Sequence, residues 1–346
     1  MILRIVLALF ISSLILAGCS ATKDVYFDTP VELRTPSAKE VFIDKYRPYL
    51  NGRKIFLDPG HGGNDRSNTG YDGIAVEADL NLRVALALRD CLRDAGAVVF
   101  MSREKDTTVN LKDRSTIANA SGAELFISIH HNAPGEHNDD WTNYTSTYYH
   151  AKDINYEYEP CNHDIAKYIQ RDLAYAMRNS GGLGSFDGTY SDYMIYPGMG
   201  FSVLRLSHIP AVLVECSFNT HHFEAKRLVL EDFNKIEAWG IFRGLCRYYR
   251  EGIPQIKMIE PDTCLSVKNL NLSFELTDSS GIDQSKIKVQ IDSVTDNEYT
   301  FEPSTGKLVV GLSNVTTGEH VIRIIAANKN GNYSFPFYKK INVLKE

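Results

Sequence analysis

The sequence has no run of lysine or arginine residues, and its 37 basic residues are outnumbered by 43 acidic ones, which leaves a net charge of -6 at pH 7. Nucleic-acid binding depends on clustered cations that neutralise phosphates, so this charge pattern argues against nucleic acid as a partner. None of the six cysteines lies in a C-x-x-C pair, which argues against a structural zinc knot. The apolar stretch at residues 5–15 is shorter than the roughly 20 residues that a membrane-spanning helix needs.

The N-terminal residues have the pattern of a secretory signal. A short basic start at residues 1–4 precedes the apolar stretch, as in signal peptides. The next residues, Leu16-Ala17-Gly18-Cys19, resemble the lipobox of bacterial lipoproteins, which implies cleavage before Cys19 and acylation of its thiol. We therefore interpret residues 1–18 as a lipoprotein signal peptide. The chain is then expected at the bacterial cell envelope, anchored to a membrane as a periplasmic or outer-membrane lipoprotein. The alternative is a plain secretory peptide with an incidental cysteine.

The 346 residues are enough for two domains with sizeable cores. Residues 19–51 are polar and contain three prolines, and we interpret them as a tether. Over residues 52–252, strand-like apolar runs alternate with segments of helical periodicity, which predicts an α/β domain with a mostly parallel, doubly wound sheet and helices on both faces. The predicted strands are 53–58, 97–102, 124–130, 145–150 and 209–216, the predicted helices are 77–95, 111–121, 164–178 and 232–250, and 180–200 is predicted to be a long mobile loop or lid.

The C-terminal part of the chain has a different pattern. Beyond Pro254, short alternating runs are separated by turn residues, and helical periodicity is lost. Residues 257–346 therefore predict a small all-β sandwich, which resembles the Ig-like modules appended to bacterial surface enzymes. These residues contain no cluster of metal ligands or nucleophiles, so we assign them to binding or spacing.

Three candidate metal ligands lie in the first half of the chain. His61 follows the first predicted strand in the motif IFLDPGHGG, Glu77 begins the first helix, and the strand ELFISIH ends at His130. Parallel strands bring their carboxyl ends to one edge of a sheet, where ligands bind. Two imidazoles and a carboxylate suit a catalytic zinc, which keeps a fourth position for water. His131 is an alternative to His130, because the two point to opposite faces of a strand and the alternation of the strand does not choose between them.

Glu215 ends the apolar run IPAVLVE, and burial of a carboxylate there is costly unless it is paired or used. A carboxylate that is not a ligand can act as the base beside water activated by a metal. Each candidate also has an ordinary interpretation. His61 could cap a loop, and Glu77 could be a first-turn acid favoured by the helix dipole.

Several motifs occur in one order across residues 53–250. They are LDPGHGG, E-x-x-LNL, SREKD, L-x-x-R, FISIHHNA and VLVECSFNT, and together they resemble the zinc-dependent N-acetylmuramoyl-L-alanine amidases of the type-3 family. The resemblance implies a phosphorylase/hydrolase-like zinc amidase fold and a Zn2+ ion bound by His61, Glu77 and His130. It also implies that Glu215 is the catalytic residue and that Asn132 contacts the substrate beside the metal.

The function implied by this resemblance is hydrolysis of the amide between N-acetylmuramic acid and L-alanine, with peptidoglycan as the partner. Two alternatives are a non-catalytic peptidoglycan-binding lipoprotein and a zinc peptidase acting on another wall amide. The complete set of ligands together with Glu215 favours an enzyme over a binding protein. Some relatives carry a helix that blocks the zinc until a partner removes it. Residues 134–160 occupy that place without helical periodicity, so an unidentified activator protein stays a hypothesis.

Overall fold

A computed structural model describes residues 25–344 except 67, 136–138, 152–157, 183–184, 186, 260–263, 267–270, 297 and 313–314. The predicted signal peptide, residues 1–18, and the predicted lipidation site Cys19 lie outside the described residues. Within the described part, the structure contains no helix that is long and apolar enough to cross a membrane.

A six-stranded sheet with the order β2-β1-β3-β6-β4-β5 forms the centre of the first domain. Its strands are β1 (Lys54–Pro59), β2 (Val98–Met101), β3 (Leu125–Asn132), β4 (Ser146–Tyr149), β5 (Thr189–Ser191) and β6 (Ala211–Phe218). The pairs β2–β1, β1–β3, β3–β6 and β4–β5 are parallel, whereas β4 and β6 pair in antiparallel fashion. The prediction of a mostly parallel sheet is thus confirmed. Because β2 and β3 lie on opposite sides of β1, the strand order reverses between β1 and β3, where open α/β sheets bind ligands.

Helices cover both faces of this sheet. They are α1 (Pro36–Leu50), α2 (Glu77–Asp94), α3 (Leu111–Ala120), α4 (Pro160–Met177), α5 (Ser202–Arg205), α6 (Glu224–Leu228) and α7 (Glu231–Arg250). Side chains from α1, α2, α4 and α7 share one apolar core with Ile55 and Leu57 of β1. Side chains from α3 and α5 share a second core with Phe56, which points to the other face because successive strand residues alternate.

The interpretation of residues 19–51 as a tether is wrong for α1. Ile43, Tyr46 and Leu50 of this helix are buried in the larger core, so α1 is part of the packed domain. Their spacing follows the helical period, but the polar composition and the prolines concealed it. Pro36 is compatible with the helix because N–H groups in the first turn have no partner within the helix, so the missing N–H of proline costs no hydrogen bond.

The prediction of a long loop at residues 180–200 is also wrong where the structure describes it. β5 and a 3-10 helix at Asp192–Met194 lie in this segment, whereas residues 183–184 and 186 are outside the described residues. Asp192 is completely buried, and its carboxylate accepts hydrogen bonds from the His150 ring and the Phe201 backbone, both at 2.8 Å. A buried carboxylate with partners on both sides holds the segment against the sheet.

The described residues between 255 and 344 form an all-β region, as predicted. Its strands are β7 (Gln255–Met258), β8 (Cys264–Ser266), β9 (Asn271–Thr277), β10 (Ile282–Ile291), β11 (Val294–Asp296), β12 (Tyr299–Glu302), β13 (Lys307–Gly311), β14 (Gly318–Asn328) and β15 (Phe337–Leu344). They form a five-stranded sheet, β11-β10-β14-β15-β8, and a four-stranded sheet, β12-β13-β9-β7, which are antiparallel except for the β8–β15 pair. The assignment of this region as Ig-like stays a prediction.

The all-β region is bound to the end of α7. Asn332 is buried, and its amide donates hydrogen bonds to the backbone oxygens of Tyr248 (3.2 Å) and Gly252 (3.0 Å). Asn328 donates to the backbone oxygen of Glu251 at 2.9 Å. These side chains satisfy carbonyl groups that a helix C-terminus leaves without a partner.

Candidate metal and active site

The loop after β1 places His61 at the edge of the sheet. His61 has a left-handed backbone with φ of 57°, an uncommon conformation for a residue with a side chain. A Cβ atom at Gly60 would lie 2.1 Å from the His130 ring, so this close approach requires glycine. Two buried arginines hold the loop in place. Arg103 donates to the Gly60 oxygen and Arg114 to the His61 oxygen, both at 2.9 Å.

Glu77 begins α2 and is buried. Its Oε1 accepts a hydrogen bond from His130 Nδ1 at 2.9 Å, and its Oε2 lies 3.2 Å from His61 Nε2. Asn68 donates to the same Oε2 at 2.8 Å and therefore fixes the carboxylate from the glycine-rich loop. The carboxylate thus joins two histidines that are far apart in the sequence.

His61, Glu77 and His130 form a group whose ligand atoms all lie within 4.8 Å of one another. The group lies at the β1–β3 switch point because His61 follows β1 and His130 lies near the end of β3. His131 points to the other side of the strand, where its ring is buried beside Glu237. Two imidazoles and one buried carboxylate are a donor set that fits zinc.

Glu77 and His61 shift each other's pKa. Burial by itself would raise the pKa of Glu77, but hydrogen bonds from His130 and His61 outweigh it and hold that pKa well below its usual range. The hydrogen bond to Glu77 raises the pKa of His61 to about 9. The carboxylate therefore keeps its negative charge and attracts a positive one, which suits a site for a cation.

Glu215 lies on β6 beside His130, its register partner on β3. Burial, together with the nearby charge of Glu77, raises the pKa of Glu215 well above its usual range. Its Oε2 is shielded from solvent and has no hydrogen-bond partner among the described residues. A carboxylate in this state can take up a proton readily, as a general base must.

A cleft of about 550 Å3 opens over these residues. It is lined by the three grouped side chains, by Glu215 and by Asn132, Arg114, Tyr196, Met199 and Arg205. Tyr196 and Met199 come from the segment at 180–200, and both are more than half exposed. The cleft therefore has a polar floor and an apolar rim.

A buried ion pair supports the floor of the cleft. Arg114 Nη1 lies 2.8 Å from Asp58 Oδ1, and both side chains are almost completely buried. The same carboxylate accepts hydrogen bonds from Ser102 (2.6 Å) and Ser128 (2.9 Å), so its charge is well compensated. Arg114 thereby joins β1, α3 and the His61 loop.

Sequence reasoning assigned no role to several of these residues. Arg114 and Asn81 lie within the motifs L-x-x-R and E-x-x-LNL. Asn81 follows Glu77 by one helical turn, and this spacing was a usable signal for a shared role. Tyr196 and Met199 were predicted only as part of a long loop or lid, and Asn68 had no assigned role, because only the folded chain brings these residues to the cleft.

The chain resembles known proteins over this same region. A family model described as N-acetylmuramoyl-L-alanine amidase (Amidase_3) matches residues 55–247. The germination-specific N-acetylmuramoyl-L-alanine amidase of Bacillus subtilis (strain 168) is 32% identical over 228 residues, which are 60% of this chain and 86% of the relative. N-acetylmuramoyl-L-alanine amidase LytC of the same organism is 32% identical over 218 residues, 62% of this chain but only 39% of the relative. The crystal structure of an N-acetylmuramoyl-L-alanine amidase from Clostridium difficile 630 aligns with a TM-score of 0.50 and 31% identity, covering 58% of this chain and 99% of that chain.

Proposed function

Because this chain belongs to the N-acetylmuramoyl-L-alanine amidase family of cell-wall hydrolases, we propose that it cleaves peptidoglycan between N-acetylmuramic acid and L-alanine with zinc bound by His61, Glu77 and His130. The observation that carries this proposal is the convergence of these three side chains beside Glu215 in one cleft. Zinc bound there would polarise the amide carbonyl and lower the pKa of a water molecule to about 7.

In this mechanism Glu215 moves the proton. Its Oε2, which has no partner among the described residues, accepts a proton from the attacking water. The same oxygen then returns that proton to the nitrogen of L-alanine as the amide bond breaks. The raised pKa of Glu215 favours the first step, because a carboxylate with a raised pKa holds the accepted proton more tightly.

The cleft residues supply the contacts for the substrate. Asn132 lines the cleft one residue after the β3 histidine pair, and its amide can both donate and accept hydrogen bonds, so we assign it to the substrate. The exposed side chains of Tyr196 and Met199 give the rim an apolar surface for the less polar parts of a muropeptide.

We also propose that the protein acts at the bacterial cell envelope, anchored to the membrane through Cys19. The support is the lipobox-like Leu16-Ala17-Gly18-Cys19, which lies outside the described residues. An activator protein stays a hypothesis. In the described residues of the segment at 134–160, the structure contains β4 and, at its last residue, the start of α4, and no further helix that could block the cleft.

Two alternative functions predict different results in one experiment. Purified peptidoglycan is digested with the protein, with and without a chelator, and the products are identified by mass. We expect new L-alanine N-termini together with intact lactyl groups, and we expect the chelator to abolish them. Other new N-termini would indicate a zinc peptidase, and sedimentation with the wall without any product would indicate a binding protein. Product release that persists in chelator would contradict the requirement for zinc.

A further inference from the structure

A buried chain of hydrogen bonds runs from α7 to the candidate metal site. Glu237 Oε1 lies 3.0 Å from His131 Nε2, His131 Nδ1 lies 2.8 Å from Asn81 Oδ1, and Asn81 Nδ2 donates to Glu77 Oε1 at 3.2 Å. Glu237 and Asn81 are completely buried, and His131 is 1% exposed. Because these groups are buried, no water can replace a missing partner, and the loss of one hydrogen bond would be costly.

The partners of Asn81 fix the direction of these hydrogen bonds. Its Nδ2 donates to Glu77 Oε1 and to the backbone oxygen of Gly60, each at 3.2 Å, and both are acceptors. Its Oδ1 must therefore face His131, and the hydrogen between them must lie on His131 Nδ1. His131 must therefore donate a hydrogen bond from Nδ1 to Asn81.

Glu237 holds the other side of the His131 ring. One hydrogen lies between His131 Nε2 and Glu237 Oε1, since these two atoms are in hydrogen-bond contact. The other oxygen of Glu237 accepts from Asn234 Nδ2 at 2.9 Å, and Asn234 also donates to the backbone oxygen of Leu228 at 2.8 Å. If the His131 ring were flipped, its carbon atoms would face Asn81 and Glu237. The ring therefore fits between these two partners in a single orientation.

The chain of hydrogen bonds reaches two of the segments that carry the proposed metal ligands. Asn81 lies one turn after Glu77 on α2, so the two side chains share a face of the helix. The same amide holds Gly60, the neighbour of His61. The backbone N–H of His131 also donates to Glu77 Oε1 at 3.2 Å, so His131 acts on this carboxylate both directly and through Asn81.

We propose that Asn81, His131 and Glu237 are positioning residues that orient the Glu77 carboxylate and the His61 loop for zinc. This inference rests on the proposed zinc site. Without these side-chain hydrogen bonds, the Glu77 carboxylate would be held less firmly, by Asn68 and the His131 backbone N–H, and the free-energy cost of ordering it would weaken zinc binding. Partners that orient metal ligands typically affect metal affinity by about 10–100-fold.

A second metal site is the competing interpretation of the same residues. His131, Cys216 and Glu237 have ligand atoms within 4.8 Å of one another, and all three are buried. Cys216 does not suit such a site, however, because burial raises the pKa of its thiol well above the usual range, and the thiolate is the form that binds a metal. The positioning role therefore predicts one zinc per chain and not two.

The test measures the zinc dissociation constant of the full chain, purified in detergent, by competition with a fluorescent zinc chelator. His131→Leu removes both ring contacts, whereas His131→Asn keeps an N–H directed at Asn81 and loses only the contact with Glu237. Asn81→Ala removes the donors to Glu77 and Gly60 and serves as a second variant if His131→Leu does not fold. Gln170→Leu is the matched control. It deletes another buried amide, whose hydrogen bonds go to Thr145 and Thr147, neither of which is a proposed metal ligand.

We expect His131→Leu and Asn81→Ala to weaken zinc binding by about 10–100-fold. His131→Asn should recover most of this loss, and Gln170→Leu should lower the melting temperature of the zinc-free protein without changing zinc affinity. Unchanged zinc affinity in a folded His131→Leu or Asn81→Ala variant would overturn the positioning role while leaving the zinc site intact. A second zinc in the wild type that is lost in His131→Leu would also overturn it. Absence of any zinc binding in the wild type would instead overturn the proposed function.

Discussion

His130 and Glu215 lie side by side on the adjacent parallel strands β3 and β6. Paired residues of neighbouring strands point to the same face of a sheet, so the carboxylate faces the site that the histidine helps to form. Glu215 is not one of the three residues whose ligand atoms converge. In the proposed mechanism, metal binding and proton transfer therefore belong to different residues, and each role can be tested on its residue alone.

Glu215→Gln should bind zinc like the wild type and release almost no peptide from cell wall. The amide keeps the size of the side chain but cannot accept the proton, and loss of a general base costs about 10²–10⁴-fold in rate. The measurement is zinc content by atomic absorption beside muropeptide release. His61→Ala is the contrasting variant, because loss of a ligand should remove metal and activity together. Full activity in Glu215→Gln would refute the mechanism, and loss of zinc would show that Glu215 is a ligand.

Zinc affinity should increase with pH up to about pH 9. In the zinc-free protein the pKa of His61 is raised to about 9 by its hydrogen bond to Glu77, so below this pH zinc must displace a proton. One displaced proton makes the apparent dissociation constant fall by about tenfold per pH unit, and the slope should vanish above the pKa. The measurement is chelator competition across this pH range.

Asp65→Asn tests whether the pKa of His61 sets this pH dependence of zinc affinity. Asp65 accepts a hydrogen bond from His61 Nδ1 at 2.8 Å and also raises the pKa of His61. Its removal should move the break in the profile to lower pH. A flat profile between neutral pH and about pH 9 in the wild type would contradict the displaced proton.

Arg114→Met should destabilise the protein strongly. The substitution leaves Asp58 as a buried carboxylate without its cation, and such a loss typically costs about 3–5 kcal/mol in the free energy of unfolding. Urea denaturation measures the effect. Adding Asp58→Asn should cost less than the sum of the two single changes, since the unpaired charge is then removed. Lys235→Met, at an exposed pair with Asp232, should change stability by less than about 0.5 kcal/mol. Strict additivity of Arg114→Met and Asp58→Asn would show that the pair is not coupled.

A chain that ends at Gly252 should still bind zinc and cleave small soluble muropeptides. The described residues that line the cleft all precede this position. The shortened chain should nevertheless melt at a lower temperature, because it loses the contact of Phe335 with the larger core and the hydrogen bonds of Asn332 to α7. Zinc titration and thermal denaturation measure the two effects.

Asn332→Ala in the full chain isolates one part of this interface. It leaves the backbone oxygens of Tyr248 and Gly252 without their side-chain partner, which should cost about 1–3 kcal/mol in the free energy of unfolding. Zinc affinity should not change. Loss of zinc in either variant would mean that the all-β region helps to form the metal site.

Cys19→Ala should prevent lipid attachment if the lipobox-like motif is used. The motif predicts acylation of the Cys19 thiol, which alanine lacks, so the variant should no longer incorporate labelled fatty acid. The measurement is metabolic labelling followed by electrophoresis. A variant that still labels and migrates like the wild type would refute the anchor.

The sequence alone determined the alternation of strands and helices, because apolar periodicity is a local property of the chain. It also carried the motifs around His61, Glu77, His130 and Glu215, which need no knowledge of the fold to be read. Parallel pairing followed from the alternation, so the meeting of strand ends at one edge was predictable.

Only the tertiary structure decided which partners those side chains meet. The alternation of β3 could not choose between His130 and His131, since both faces of a central strand are buried. The structure puts His130 against Glu77 and His131 against Glu237, 106 residues away in the sequence. The burial of α1 and of the segment around Asp192 likewise depends on distant residues. Such contacts form only when remote elements pack together, and no local pattern records them.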